Sequence, residues 1–76
     1  MSLELVTYII SNLVDEPDQL NIKAEQEEDS LQIHITCAPN DAGRIIGRGG
    51  RIINSIRTLA RASSDGRQRV EVQLID

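Results

Sequence analysis

Three glycines in four positions, Gly47-Arg48-Gly49-Gly50, stand between two apolar pairs, Ile45-Ile46 and Ile52-Ile53. No regular element runs comfortably through such a segment, because each interior glycine costs about 1 kcal/mol relative to alanine in a helix. The segment therefore ends one element and begins another. After the loop, Ile52, Ile56, Leu59 and Ala60, with Ile53 alongside, form an apolar stripe at helical spacing from about Arg51 to Ser63. Before it, Pro39-Asn40-Asp41 supplies a helix start with Asn40 or Asp41 as N-cap, and the helix is short because Gly47 follows so soon. The local unit is two helices joined by a tight glycine turn. Gly47 is expected to end the first helix in the left-handed conformation, and Gly50 to let the chain turn directly into the second.

The rest of the chain surrounds that unit with a sheet. Residues 3 to 13 place Leu3, Val6, Ile10 and Leu13 on one helical stripe, widened by Leu5 and Ile9, and Pro17 is expected to end that helix and start a turn. Leu20, Ile22 and Ala24 then alternate, as do Leu31, Ile33, Ile35 and Cys37, with polar Gln26 to Ser30 between them. These two runs predict an antiparallel hairpin, with His34, Gln32 and Thr36 on its solvent face. Ser64-Asp65-Gly66 breaks the last helix, and Val70, Val72 and Leu74 alternate as a final strand. That strand follows a strand-helix-helix crossover, so it should lie parallel to the strand at 31 to 37. The expected fold class is α+β, in the order α-β-β-α-α-β, with a three-stranded mixed sheet and helices packed on one face. With 76 residues, the chain is long enough for one domain, 1 to 76, and buries only about 60 % of its unfolded surface. Tyr8 is the only aromatic, so the core must be aliphatic, and base stacking on aromatic platforms is not available.

The glycine loop carries the chemistry. It presents backbone N–H groups at a helix start, where the macrodipole adds partial positive charge. The missing side chain at Gly49 lets a phosphate approach the backbone, and Arg48, Arg51 and Arg44 bring full charges to its edges. Other glycine-loop motifs fail on spacing. A dinucleotide fingerprint starting at Gly47 needs a small residue where Ile52 stands, and a P-loop starting at Gly43 needs Gly-Lys where Arg48-Gly49 stands. The net charge of −4 looks wrong for a polyanion binder until it is divided. Residues 1 to 43 hold nine acids and one base, Lys23, whereas residues 44 to 69 hold seven arginines and one acid, Asp65. With a Debye length of about 8 Å at physiological salt, a phosphate approaching the arginine face is largely screened from the far side of the molecule. On charge alone, solvated helix surfaces account for the pattern equally well.

Ile45-Ile46-Gly47-Arg48-Gly49-Gly50-Arg51-Ile52 resembles the (V/I)-I-G-x-x-G-x-x-I core of KH domains, whose GXXG loop clamps about four nucleotides. The pattern's last isoleucine falls at Ile53, with Ile52 an additional apolar neighbour. A helix and two strands ahead of that core resemble the type II, bacterial form. The chain as a whole is similar to the small single-KH bacterial proteins of the KhpA (YlqC) family. The resemblance implies a single-stranded RNA-binding protein, an RNA chaperone or post-transcriptional regulator. Gly47, Arg48, Gly49 and Gly50 would form the phosphate-contacting loop. Ile45, Ile46 and Ile53 would form the helix wall of the nucleotide groove, with Ile33 and Ile35 nearby in the strand. It also implies homodimers, and heterodimers with a larger multidomain KH-containing RNA-binding protein. The alternative is a KH-fold protein-interaction module that dimerises and has little RNA affinity of its own.

Plainer readings apply elsewhere. The small core needs some of the four isoleucines around the loop; Ile52 and Ile56 are assigned to it, leaving Ile46 or Ile53 part exposed. Arg57 and Arg61, one turn apart, make a basic ridge that is either a solvated helix face or an extension of the RNA contact. Cys37 is read as a small buried strand residue, and a single cysteine precludes an internal disulfide and fits a reducing compartment. His34 has no second metal ligand at useful spacing, and Glu27-Glu28-Asp29 reads as a solubilising turn. No nucleophile-base or carboxylate pair presents itself, so neither catalysis nor a cofactor is expected. No basic stretch followed by an apolar one opens the chain, and no run approaches the length of a membrane span, so a cytoplasmic location is the expectation.

Overall fold

The computed structural model describes residues 2–64 and 68–75. Six regular elements occur in the expected order: α1 (Ser2–Ser11), β1 (Asn21–Gln26), β2 (Ser30–Thr36), α2 (Ala42–Ile46), α3 (Arg51–Ala62) and β3 (Arg69–Leu74). Short 3-10 turns at Pro17–Gln19, Pro39–Asp41 and Arg48–Gly50 connect them. The sheet order is β1-β2-β3, with β1 antiparallel and β3 parallel to β2. The expected α+β class and mixed sheet are therefore what the chain adopts. The break predicted at Ser64-Asp65-Gly66 lies partly outside the described residues.

Alternation sets which face of the sheet is buried. The register stacks Ile22, Ile35 and Leu74 across the three strands, and likewise Ala24, Ile33 and Val72. All six point to the helical side, while Lys23, His34 and Gln73 line up on the other face. The core is aliphatic throughout: Val6 and Ile10 from α1, Ile33 and Ile35 from β2, Ile45 from α2, Ile53, Ile56 and Ala60 from α3, Val70 and Val72 from β3. Cys37 packs at its margin, half-buried. Ala24 has the inward parity but is exposed, because β1 receives little cover from the helices. His34, on the central strand, is half-buried rather than fully exposed.

Two helix ends differ from expectation. The first helix stops at Ser11, well before Pro17, and Asn12 turns its side-chain amide back onto the Tyr8 carbonyl at 2.8 Å. Leu13 and Val14 still pack on the core, from the loop. Asp41 does not cap α2 with its side chain. Its carboxylate is instead fully buried and accepts hydrogen bonds from the backbone N–H groups of Asp15 at 2.9 Å and Glu16 at 3.0 Å. The α1–β1 connection is thereby tied to the start of α2. A third tie joins the opposite ends of α1 and α3, where buried Ser2 donates to the Ala60 carbonyl at 2.9 Å.

Candidate nucleic-acid interface

The loop is built from three positive-φ glycines that do different work. Gly47 closes α2 by donating its N–H to the Gly43 carbonyl at 2.9 Å, with φ 76° and ψ 172°. This is not the left-handed helical conformation expected for it but an extended positive-φ region essentially reserved for glycine. Close approach adds a second constraint, since a Cβ at Gly47 would lie 2.6 Å from Ile52 Cγ1 and 2.9 Å from the Ile52 backbone nitrogen. The left-handed helical region is taken by Gly49 (φ 65°, ψ 19°) and Gly50 (φ 79°, ψ 13°), the latter leading straight into α3.

This winding spends some loop amides and leaves others. The Gly50 N–H closes onto the Gly47 carbonyl, and the Arg51 N–H onto the Arg48 carbonyl. The turn's own hydrogen bonds do not use the amides of Arg48 and Gly49. A Cβ at Gly49 would meet nothing within 4 Å, so its backbone faces open space. Arg48 and Arg51 are exposed, and among the described residues neither has an acidic partner. Arg44, in the α2 helix that leads into the loop, is mostly exposed and lies 3.4 Å from the buried Asp41 carboxylate at the helix start. Two unpaired cations, Arg48 and Arg51, thus border one uncovered turn of backbone, with Arg44 one helix back.

The apolar residues assigned to the groove divide. Ile46 is 39 % exposed beside the loop, as expected for a wall residue. Ile33, Ile35 and Ile45 are fully buried and Ile53 nearly so, so these four belong to the core and present little or no surface. Ile52, assigned to the core, is only half-buried and packs across Gly47. The reason is phase: a helix beginning at Arg51 points Ile53, Ile56 and Ala60 at the sheet. That rotation leaves Ile52 to the side and Leu59 half in solvent.

A cleft of about 370 Å³ runs on from the loop between α3 and β3, lined by Asn54, Arg57, Arg61, Glu71, Val72 and Gln73. Of these, only Arg57 and Arg61 were singled out by sequence, and neither is merely a solvated ridge. Arg57 Nε donates to the Val72 carbonyl at 3.0 Å and its Nη1 to Asn54 Oδ1 at 2.9 Å, while Arg61 Nε reaches the Val70 carbonyl at 3.4 Å. The i, i+4 spacing on α3 matches the i, i+2 spacing on an edge strand, and that coincidence was the available signal. Asn54 and the β3 wall could not be found without knowing that β3 lies at the sheet edge.

Residues 3–74 match the family model for the KH domain of KhpA and KhpB. The chain belongs to the KhpA/KhpB KH-domain family. Among its KhpA relatives is "RNA-binding protein KhpA" of Oceanobacillus iheyensis, 38 % identical over 93 % of this chain and 96 % of the relative. The protein of the same name from Chlamydia trachomatis is 41 % identical, covering 93 % and 90 % of the two chains. That of Caldanaerobacter subterraneus is 40 % identical, covering 95 % and 97 %. These relatives are named as RNA-binding proteins, and the family is not known as enzymatic. Among the described residues, no cluster of side chains is suited to hold a metal ion and no helix is long and apolar enough to cross a membrane.

Proposed function

We propose that this KH domain binds single-stranded RNA by its backbone, with Gly47-Arg48-Gly49-Gly50 as the clamp, and acts as an RNA chaperone or post-transcriptional regulator in the cytoplasm. The observation that carries the reading is the uncovered backbone at Gly49, flanked by exposed arginines with no acidic partner among the described residues. The relatives' name, "RNA-binding protein KhpA", supports the same reading. Arg44, Arg48 and Arg51 supply the phosphate contacts, Gly49 the close approach, and Ile46 the apolar flank. With three or four arginines on phosphates, the log–log salt slope should be about −2 to −3, a loss of about 20- to 50-fold between roughly 50 and 200 mM salt. Such a short grip gives weak binding on its own, which a homodimer, or a heterodimer with a larger KH-containing protein, would raise by avidity.

The test is fluorescence anisotropy with short labelled single-stranded RNAs at low salt, comparing the wild type with Arg48→Asp/Gly49→Asp. Aspartate is among the residues that tolerate the left-handed region found at Gly49, so circular dichroism and melting should change little. Loss of binding with the fold intact supports the clamp. Equal binding by both proteins moves the RNA surface elsewhere. No binding by either favours a protein-interaction module, for which exposed Tyr8 and Leu59 offer apolar contact surface.

A further inference from the structure

The two edges of the sheet are finished differently. Along β3 the Val70 and Val72 carbonyls are engaged by Arg61 and Arg57. The outer edge of β1 has no such cover. The Glu27 N–H donates to the Ser30 carbonyl at 2.8 Å, which fixes the phase of the β1–β2 ladder. In that phase Asn21, Lys23 and Glu25 turn their backbone groups toward β2, while Ile22, Ala24 and Gln26 turn theirs outward. Among the described residues, no group bonds to the outward N–H and C=O of Ile22 and Ala24. The devices that usually blunt an edge are missing too. Pairing runs from Asn21 to Gln26 without a bulge or a proline, and every residue of β1 except Ile22 is exposed. Lys23 is the one guarding cation, and its side chain stands on the polar face of the sheet.

We propose that the outer edge of β1 is a docking strand for an extended basic peptide of another protein, which adds to the sheet with lysine or arginine on its polar side and apolar residues beside Ala24. Charge around the edge selects that partner. Asp18 lies at one end of β1, and Glu25, Glu27, Glu28 and Asp29 at the other; all are exposed, and among the described residues none meets a basic side chain. Exposed Ala24 and half-buried Ile22 form an apolar strip on the helical side that the helices leave uncovered. Main-chain hydrogen bonds to Ile22 and Ala24 supply the grip, and the alternating side chains the preference. A second copy fits less well. Pairing antiparallel about Ala24 would match Lys23 with Glu25, but it would set the Asp18 of each copy against the acidic turn of the other. The β1 edge is the opposite side of the sheet from the α3–β3 cleft, and the proposal stands independently of the RNA-binding reading.

The experiment measures anisotropy of a labelled, end-blocked peptide alternating lysine and valine and matching β1 in length, with amide hydrogen exchange of the protein read alongside. Two comparison peptides are used: the same sequence N-methylated along its whole backbone, which keeps the charge and removes the donors, and one alternating glutamate and valine. The lysine–valine peptide should bind about tenfold or more tightly than either. Exchange should slow at the Ile22 and Ala24 amides, which face the incoming strand. Ala24→Pro deletes an outward N–H and leaves the ladder to β2 its hydrogen bonds, so peptide binding should fall while the β2–β3 amides keep their protection. If that variant does not fold, the methylated peptide and the exchange pattern decide alone. Absence of binding, equal binding of the methylated or the glutamate peptide, or protection gained away from β1 overturns the proposal. Self-association of the protein without peptide, lost in Ala24→Pro, also overturns it and gives the edge to a second copy.

Discussion

Gly47 and Gly49 have the same side chain and opposite tolerances. Replacing Gly47 by alanine drives a Cβ into Ile52 at 2.6 Å and places a non-glycine residue at φ 76°, ψ 172°. Gly47→Ala should therefore lower the unfolding free energy by about 2–4 kcal/mol. Gly49→Ala meets open space and a left-handed helical conformation, a cost of about 1 kcal/mol. Urea denaturation of the two variants checks the contrast, and equal losses would contradict this division of roles. Sequence made the loop legible because three glycines so close together have few structural uses. Which glycine carries which constraint was not legible, since that depends on Ile52 folding back over Gly47 from the next helix. The same rotation put Ile53 in the core and left Ile52 half-buried at its margin, a shift of one position that apolar spacing could not resolve among adjacent isoleucines.

At the scale of elements, periodicity identified α1, α3 and the three strands, because each has a buried stripe or an alternating face, while α2 was read from its proline entry and from Gly47. The ends were less legible, being set by polar side chains that act at a distance in sequence. Asp41 is the clearest case: it looks like an N-cap, but its buried carboxylate serves the amides of Asp15 and Glu16, which lie more than twenty residues upstream. Asp41→Ala leaves both amides without their acceptor and frees Arg44 from its partner. Such a change should cost about 2–3 kcal/mol, read by thermal or urea unfolding. Hydrogen exchange at Asp15 and Glu16 should accelerate more than at the β2–β3 ladder; uniform acceleration would contradict a local tie. The α3–β3 pairing through Arg57 and Arg61 was hidden for a similar reason, since an arginine ridge reads identically whether its partner is water or a strand edge.

For the molecule as a whole, charge is arranged by topology. The two arginine contacts place α3 antiparallel to β3, so the glycine loop lies at one end of α3 and the β1–β2 turn toward the other, where the Arg69 N–H meets the Asp29 carbonyl. The twelve residues of α3 span about 18 Å, more than two Debye lengths at physiological salt. Reversing Glu27, Glu28 and Asp29 to lysine should therefore change RNA affinity by less than about threefold near 150 mM salt. Near 10 mM, where screening extends to about 30 Å, the variant should bind distinctly tighter than wild type. Anisotropy at the two salts decides, and a large effect at both would mean that the acidic turn lies closer to the bound strand. The segregation of charge was plain in the sequence; its distribution in space required the crossover that brings β3 back beside β2.

That crossover also orders events in time. Pairing Gln26 with Leu31 closes a five-residue span, whereas pairing Leu31 with Val70 brings together positions thirty-nine apart. Loop-closure entropy makes the first contact early and the second late. During synthesis, α2, the glycine turn and α3 emerge ahead of β3, when α1 and β2 are already there for them to pack against. The expected course is thus a glycine turn taking shape on a nascent chain whose α3–β3 cleft does not exist until the last strand arrives.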